Sequence, residues 1–457
     1  MKRLPSLFGN TFHLLIVLVP VIAIVLLVGG QTLAGFRDEA TISATQATAV
    51  KQQDVEALVF QSPLPTPTSP PSTGNLKVIA IEPVKNGPYR NILWSPDGKK
   101  ALVSKQYTQY LLAREKDVST EGLPPGFVPG TTTGLGDLWL LDLATGAERR
   151  LAEKVGRYAW SPDSTQVAYL ALTRAEGIAG ALYVLDIVSG KTKRVASVDF
   201  LGSDYAPHWL PTNEIVFVRD GRLRSVQATG KQEKALPGFR FYNPMAAEAG
   251  RPGYLDDPDA PVGFHFSPDG KRVAYKTHRK NYRAISYRLW LADADGSNAQ
   301  LITEQAEGSY YEWSPDSQWL VFDTYRDVDD PTMDQHHPGL SGLWVVRADG
   351  SDIHCLYRAD FWHWILSPAW SPDSSMVVFV DSLIVLKPDP PKGVFWQGSL
   401  QVADVKRGET TPLKGLPENE EAPADVRWPP DGKHLFIIKD GGRPGLYQSY
   451  RLTLATE

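Results

Sequence analysis

Trp94-Ser-Pro-Asp-Gly98 recurs along the chain as Trp160-Ser-Pro-Asp-Ser164, Trp209-Leu-Pro-Thr-Asn213, Phe266-Ser-Pro-Asp-Gly270, Trp313-Ser-Pro-Asp-Ser317, Trp370-Ser-Pro-Asp-Ser374 and Trp428-Pro-Pro-Asp-Gly432. The aromatics stand 66, 49, 57, 47, 57 and 58 residues apart. Such a period is too short for a domain and fits one small sheet with its loops, built repeatedly. Pro fixes φ, Asp bonds its own backbone two residues on, and Gly accepts positive φ, so each phrase predicts a tight turn. Runs such as Gly156-Arg-Tyr-Ala-Trp160 before it and Val167-Ala-Tyr-Leu170 after it read as strands A and B.

A second phrase follows the first. Leu138-Trp-Leu-Leu-Asp-Leu-Ala-Thr-Gly146, Leu182-Tyr-Val-Leu-Asp-Ile-Val-Ser-Gly190, Leu289-Trp-Leu-Ala-Asp-Ala-Asp-Gly296 and Leu343-Trp-Val-Val-Arg-Ala-Asp-Gly350 read as strand C and a turn into strand D. Six D strands follow, and Leu76-Lys-Val-Ile-Ala-Ile81 supplies a seventh from the other end of the repeat region. The sequence therefore predicts an all-β, seven-bladed β-propeller over residues 75–457, closed by its N-terminal strand. Closure removes the exposed sheet edges that an open ring would leave.

The repeated Trp-Ser-Pro-Asp-Gly phrase resembles that of the TolB-like, WD-repeat-like propeller family over roughly residues 75–457, with the third and fourth copies departing from it at Leu210, Thr212, Asn213 and Phe266. The resemblance implies fold far more than function, since propellers host unrelated activities. The chain is also similar to the propeller half of prolyl-oligopeptidase-type peptidases. Yet no Gly-x-Ser-x-Gly elbow, dinucleotide fingerprint or HExxH occurs in it.

Apolar residues make up 42% of the chain and 13 are Trp, enough for an aromatic-rich core. The net charge of −5 argues against a nucleic-acid partner, which wants a basic face. One cysteine, Cys355, excludes an internal disulfide and a thiolate metal cluster. Lys2 and Arg3 precede an uncharged stretch to Phe36 whose apolar heart is Leu14 to Val28. Residues 1–36 are thus expected to be a signal anchor, a transmembrane helix that leaves the rest extracytoplasmic; cleavage would leave the chain secreted. Residues 37–74 form a polar linker ending in a Pro-rich spacer, with five prolines and no charge between Gln61 and Gly74.

Strand order places the A–B and C–D turns at one end of every blade and the B–C and D–A connections at the other. The latter are long between Gln106 and Asp137, Thr324 and Gly342, Ser382 and Gly398, Gly238 and Val262, Arg358 and Pro368, and Lys414 and Ala424. Long loops on a rigid scaffold are where binding concentrates. Candidate binding residues on that face are Phe361, Trp362, His363 and Trp364 in one expected loop, and Tyr242 and Tyr254 in another. The acidic run around Asp327, Asp329, Asp330 and Asp334 reads as a solvated loop.

One further constellation comes from aligning the blades. The residue before each phrase aromatic is Leu93, Ala159, His208, His265, Glu312, Ala369 and Arg427 in turn. His208, His265 and Glu312 come from consecutive blades, and two imidazoles with a carboxylate suit a divalent metal. The arrangement is similar to that of the oligogalacturonate lyases, whose resemblance implies a metal in the channel. The leading reading is a membrane-tethered propeller binding a protein or a cell-envelope polymer, without an assigned cofactor. The alternative is a metal-dependent lyase or hydrolase working in the channel.

Overall fold

The computed structural model describes residues 76–456, apart from 85–89, 106–135, 144, 173–179, 199–205, 241–260, 279–286, 305, 307–309, 326–327, 330–335, 338–340, 360–362, 388–392, 418–421 and 441–446. The described residues form strands and no helix, in a β-propeller-like architecture. Strand pairing gives five four-stranded sheets, one seven-stranded sheet and a separate two-stranded hairpin. Every strand pairing is antiparallel, and all but two join strands consecutive in the chain. Trp319–Tyr325 pairs with Ser341–Arg347 across the short hairpin between them. Leu76–Pro83 pairs with Tyr447–Thr456 at the far end of the chain, from Leu76 opposite Thr456 to Pro83 opposite Tyr450.

Each phrase follows one strand of its unit: Arg90–Trp94, the end of Glu148–Trp160, His208–Trp209, Pro261–Phe266, Tyr311–Trp313, His363–Trp370 and Asp425–Arg427, all at a sheet edge except Glu148–Trp160, which lies inside the seven-stranded sheet. Strands of this set touch one another across sheets, Tyr311–Trp313 against Pro261–Phe266 and Asp425–Arg427 against His363–Trp370 among them. They are the innermost strands and line the channel. The seven-stranded sheet joins two repeat units through Glu148–Trp160. That strand pairs with Gly136–Asp142 along its first part and with Gln166–Leu172 along its last.

The turn itself is built as its residues dictate. In the first, second, fourth, fifth and sixth phrases the buried Ser Oγ donates to the Asp carboxylate at 2.6 Å. It also accepts the backbone N–H five residues on. The fifth residue of the phrase has φ between 60° and 71°, whether Ser, Asn or Gly. The Ser-to-Asp bond is the main reason the Asp97 and Asp163 carboxyls lie below the usual range, with burial opposing it.

Neighbouring phrases lock together. The indole N–H of Trp160 donates to the Leu93 carbonyl, that of Trp313 to His265 and that of Trp370 to Glu312, at 2.9–3.0 Å. At the same three junctions the phrase Asp N–H donates to the Ser Oγ of the next phrase: Asp97 to Ser164, Asp269 to Ser317, Asp316 to Ser374. Where the fifth residue is Gly, the turns pack instead. A Cβ on Gly270 would lie 2.9 Å from Pro211 Cδ, and one on Gly98 would lie 3.1 Å from Pro430 Cβ. The second contact joins the first phrase to the last, so the turn end is a closed ring. Trp94 and Phe436, with ring centres 5.2 Å apart, pack at the same junction.

Side chains between sheets form the core, as apolar clusters that each span two neighbouring units. Trp209, Ile215 and Phe217 meet Leu170 and Leu182; Trp370, Val377 and Phe379 meet Val321 and Leu343. Val78 of the N-terminal strand sits with Leu413, Leu435 and Leu452 in another.

The long-loop end corrects part of the sequence expectation. Two expected loops are largely strand. Met376–Lys387 and Gly393–Asp404 pair over twelve residues, so the strands run through most of the Ser382–Gly398 region. His363 and Trp364 open the strand His363–Trp370, with His363 opposite Leu383 and Trp364 opposite Ser382. The β-branched run at Val377–Val380 propagates into a longer ladder than the turn spacing foretold. In the acidic stretch, Val328–Asp329 pairs with His336–His337 as a hairpin.

Candidate functional site

Two regions hold polar chemistry, the channel wall and the long-loop end. In the channel, alternation along the innermost strands buries the phrase aromatic and turns the residue before it to the opposite face. Thus Trp209, Phe266 and Trp313 are buried, while His208, Glu312 and Arg427 are half-buried and His265 is exposed.

The histidines are engaged as aromatic rings. His208 stacks on Phe266 of the next unit, centres 5.3 Å apart, and His265 lies 4.5 Å from the Tyr311 ring. Enclosure by the wall, helped by the charge of His265, lowers the His208 pKa to about 4, so the ring is neutral at pH 7. Among the described residues no three His, Cys, Asp or Glu side chains gather as a metal-holding group. His208, His265 and Glu312 are thus not gathered as such a group.

Glu312 lies in the field of a second set of charges, Arg427 and Asp425. Arg427 Nε donates to Asp425 Oδ2 at 3.2 Å, and Asp425 Oδ1 is buried with no hydrogen-bond partner among the described residues. Val426 between them is fully buried, which puts Asp425 and Arg427 on one face. Burial raises the Glu312 pKa, with Arg427 opposing and Asp425 adding to it. Asp425, and then Glu312 and Tyr310, hold Arg427 in its charged form against its burial. Tyr310 is pushed up, first by burial; Ser367 Oγ lies 3.4 Å from its hydroxyl. The position of Arg427 in the blade alignment was visible in the sequence. Its partner two residues earlier was not singled out, although alternation would have placed Asp425 beside it.

At the long-loop end, Asp381 is buried and accepts two bonds. Tyr357 Oη donates at 2.6 Å and His363 Nδ1 lies 2.8 Å away. Tyr357 belongs to the neighbouring sheet, so the carboxylate ties two units together. His363 and Trp364 are half-buried. Phe361, Trp362, Tyr242 and Tyr254 lie outside the described residues. Between the last two sheets at the same end lies a cavity of about 650 Å³. Ile81, Leu413, Lys414, Lys439 and Tyr450 are among its lining residues. Cys355, half-buried in an outer strand, packs against an apolar cluster.

No family model matches the chain. Over 282 residues it is 23% identical to the uncharacterized protein Atu1656 of Agrobacterium fabrum, covering 61% of this chain and 83% of that one. Over 231 residues it is 24% identical to the uncharacterized peptidase YuxL of Bacillus subtilis, covering 50% of this chain and only 28% of the peptidase. Among solved structures, an oligogalacturonate lyase in complex with manganese matches 84% of this chain and 98% of its own, at 16% identity and a TM-score of 0.48. TolB from Acinetobacter baumannii matches 64% of this chain and 62% of its own, at 15% identity and a TM-score of 0.36. Each likeness to a solved structure is one of fold alone.

Proposed function

We propose that the chain is a seven-bladed propeller, tethered to a membrane by residues 1–36 through the linker 37–74, whose extracytoplasmic long-loop face binds a protein or a cell-envelope polymer. The observation that supports this most is the asymmetry of the two ends. Turns at one end bond and pack against one another, from Trp160 on Leu93 round to Gly98 on Pro430, and are occupied in holding the ring. The opposite end carries the cavity beside Tyr450 and the half-buried His363, steadied by Asp381 and Tyr357. A site on a rigid frame is the usual design of a binding face. No helix among the described residues is long and apolar enough to cross a membrane, and Leu14 to Val28 lies outside them. Cell fractionation with an alkaline wash tests the tether.

A pull-down from envelope extracts with the full chain, repeated with His363→Ala, tests the face. Specific capture that weakens in the variant is expected. Turnover of a small substrate with no partner captured would sink the reading. The metal-dependent alternative has no support from the geometry of His208, His265 and Glu312. Elemental analysis of the purified chain is its direct check.

A further inference from the structure

The cavity between the last two sheets is walled by three separated pieces of chain. Ile81 comes from the closing strand Leu76–Pro83, Lys414 from the connection after Glu409–Pro412, and Ile437, Lys439 and Tyr450 from the last sheet. Its volume of about 650 Å³ lies within the range of roughly 300–1,000 Å³ that small ligands fill. Its floor is apolar: Leu413 and Ile437 are buried and belong to the cluster around Val78. Its charge has one sign. Lys414 and Lys439 line it, and no Asp or Glu does among the described residues, in a chain whose net charge is −5. Lys439 Nζ lies 5.9 Å from the centre of the Tyr450 ring, which lines the same space. Lys414 is placed by its backbone. Its carbonyl accepts the Val78 N–H at 2.9 Å, and the next residue, Gly415, has no room for a Cβ beside the Val78 carbonyl.

From this lining we infer that the cavity binds a small carboxylic acid with an apolar body, its carboxylate toward Lys414 and Lys439 and its body over Ile81, Leu413 and Ile437. A carboxylate takes charge-assisted hydrogen bonds from ammonium donors, and the body gains by leaving water. A free inorganic anion would leave the apolar floor uncovered. An extended peptide suits the lining less, because each residue brings an amide that needs a partner when buried. Two of the polar side chains on the wall are already engaged: Ser399 Oγ accepts from Gln401 Nε2 at 2.9 Å, and Tyr450 Oη donates to Gln448 Oε1 at 2.7 Å. The walls meet only when Leu76–Pro83 is docked, so a ligand held there favours the closed ring. The cavity lies on the face proposed above to bind a partner and deepens that reading, but the acid needs no partner to be present.

The test is calorimetric titration of the purified full chain with 4-phenylbutyrate, its neutral amide, acetate and N-acetyl-Leu-Leu. Phenylbutyrate is expected to bind about tenfold or more tightly than the amide, which lacks the charge, and than acetate, which lacks the body. It is also expected to raise the thermal midpoint of the chain. Lys414→Gln and Lys439→Gln each remove one charge and should each weaken binding about threefold to tenfold. The bond that Lys414 makes to the closing strand uses its carbonyl, which the substitution keeps. Ile81→Trp fills the cavity from an exposed position and should abolish binding, which keeps the test open should a lysine variant unfold. Tighter binding of N-acetyl-Leu-Leu than of phenylbutyrate would overturn the small acid in favour of a peptide C-terminus. Equal binding of acid and amide, unchanged affinity in folded Ile81→Trp, or no binding at millimolar concentration would each overturn the assignment. Capture of a partner by the long-loop face is measured separately, so the two readings fail independently.

Discussion

At the residue scale, the fifth position of the phrase shows how one φ value is met in two ways. Ser164, at φ 60°, carries left-handed strain that costs an L-residue roughly 1–2 kcal/mol. In return its Oγ accepts the Asp97 N–H at 3.0 Å. Ser164→Ala keeps the strain and loses the bond, so urea unfolding should show a loss of about 1 kcal/mol. Ser164→Gly loses the same bond and relieves the strain, so its midpoint should fall much less. His208 sets a second expectation. Its folded pKa of about 4 lies below the ordinary 6.5, so between those values the unfolded chain binds the extra proton. The stability that a neutral His208 contributes is complete above pH 6.5 and is lost as pH falls through 4, on the order of 2–3 kcal/mol. A stability curve from pH 7 to pH 4 should flatten in His208→Phe if this ring is responsible; an unchanged slope would assign the loss elsewhere.

At the element scale, the strand Leu76–Pro83 carries the closure. Val78 is buried among Leu413, Leu452 and Leu454, and its N–H donates to the Lys414 carbonyl at 2.9 Å. Ile79, at the register shift beside it, is 58% exposed. Val78→Asp buries an unpaired carboxylate and should cost about 3 kcal/mol or more, whereas Ile79→Asp should stay within about 0.5. Equal effects in thermal unfolding would mean that the strand is not docked as described. Local chemistry made this element readable beforehand: a β-branched run, and a missing D strand at the other end of the repeat. Tight turns were readable for the same reason, because Ser, Pro, Asp and Gly act within five residues of one another. The channel site was only half readable. Position before the aromatic is local, and it named His208, His265, Glu312 and Arg427. Which of them face a common partner depends on the orientation of different strands: the imidazoles lie against aromatic rings, while Glu312 feels the charge of Arg427. The His363–Asp381–Tyr357 link was hidden because His363 falls where a loop was expected and Asp381 lies 18 and 24 residues from its partners.

At the scale of the whole molecule, ring closure can be separated from the local cost of a turn. Gly98 and Gly146 have nearly the same backbone, φ 68° and 69°. A Cβ on Gly146 meets nothing within 4 Å, while one on Gly98 comes within 3.1 Å of Pro430 Cβ in the last phrase. Gly146→Ala therefore reports left-handed strain alone, about 1 kcal/mol. Gly98→Ala adds the displacement of the seventh turn from the first, and that displacement is passed to the packing of Trp94 on Phe436. Its loss in urea unfolding should exceed that of Gly146→Ala by about 1 kcal/mol. Replacing Pro430 with Gly in the Gly98→Ala background removes the Cβ nearest the new methyl and should return part of the difference. Equal losses in the two single variants would mean that the first and last units do not press on each other, and the contact that closes the ring would have to be sought at the outer strands.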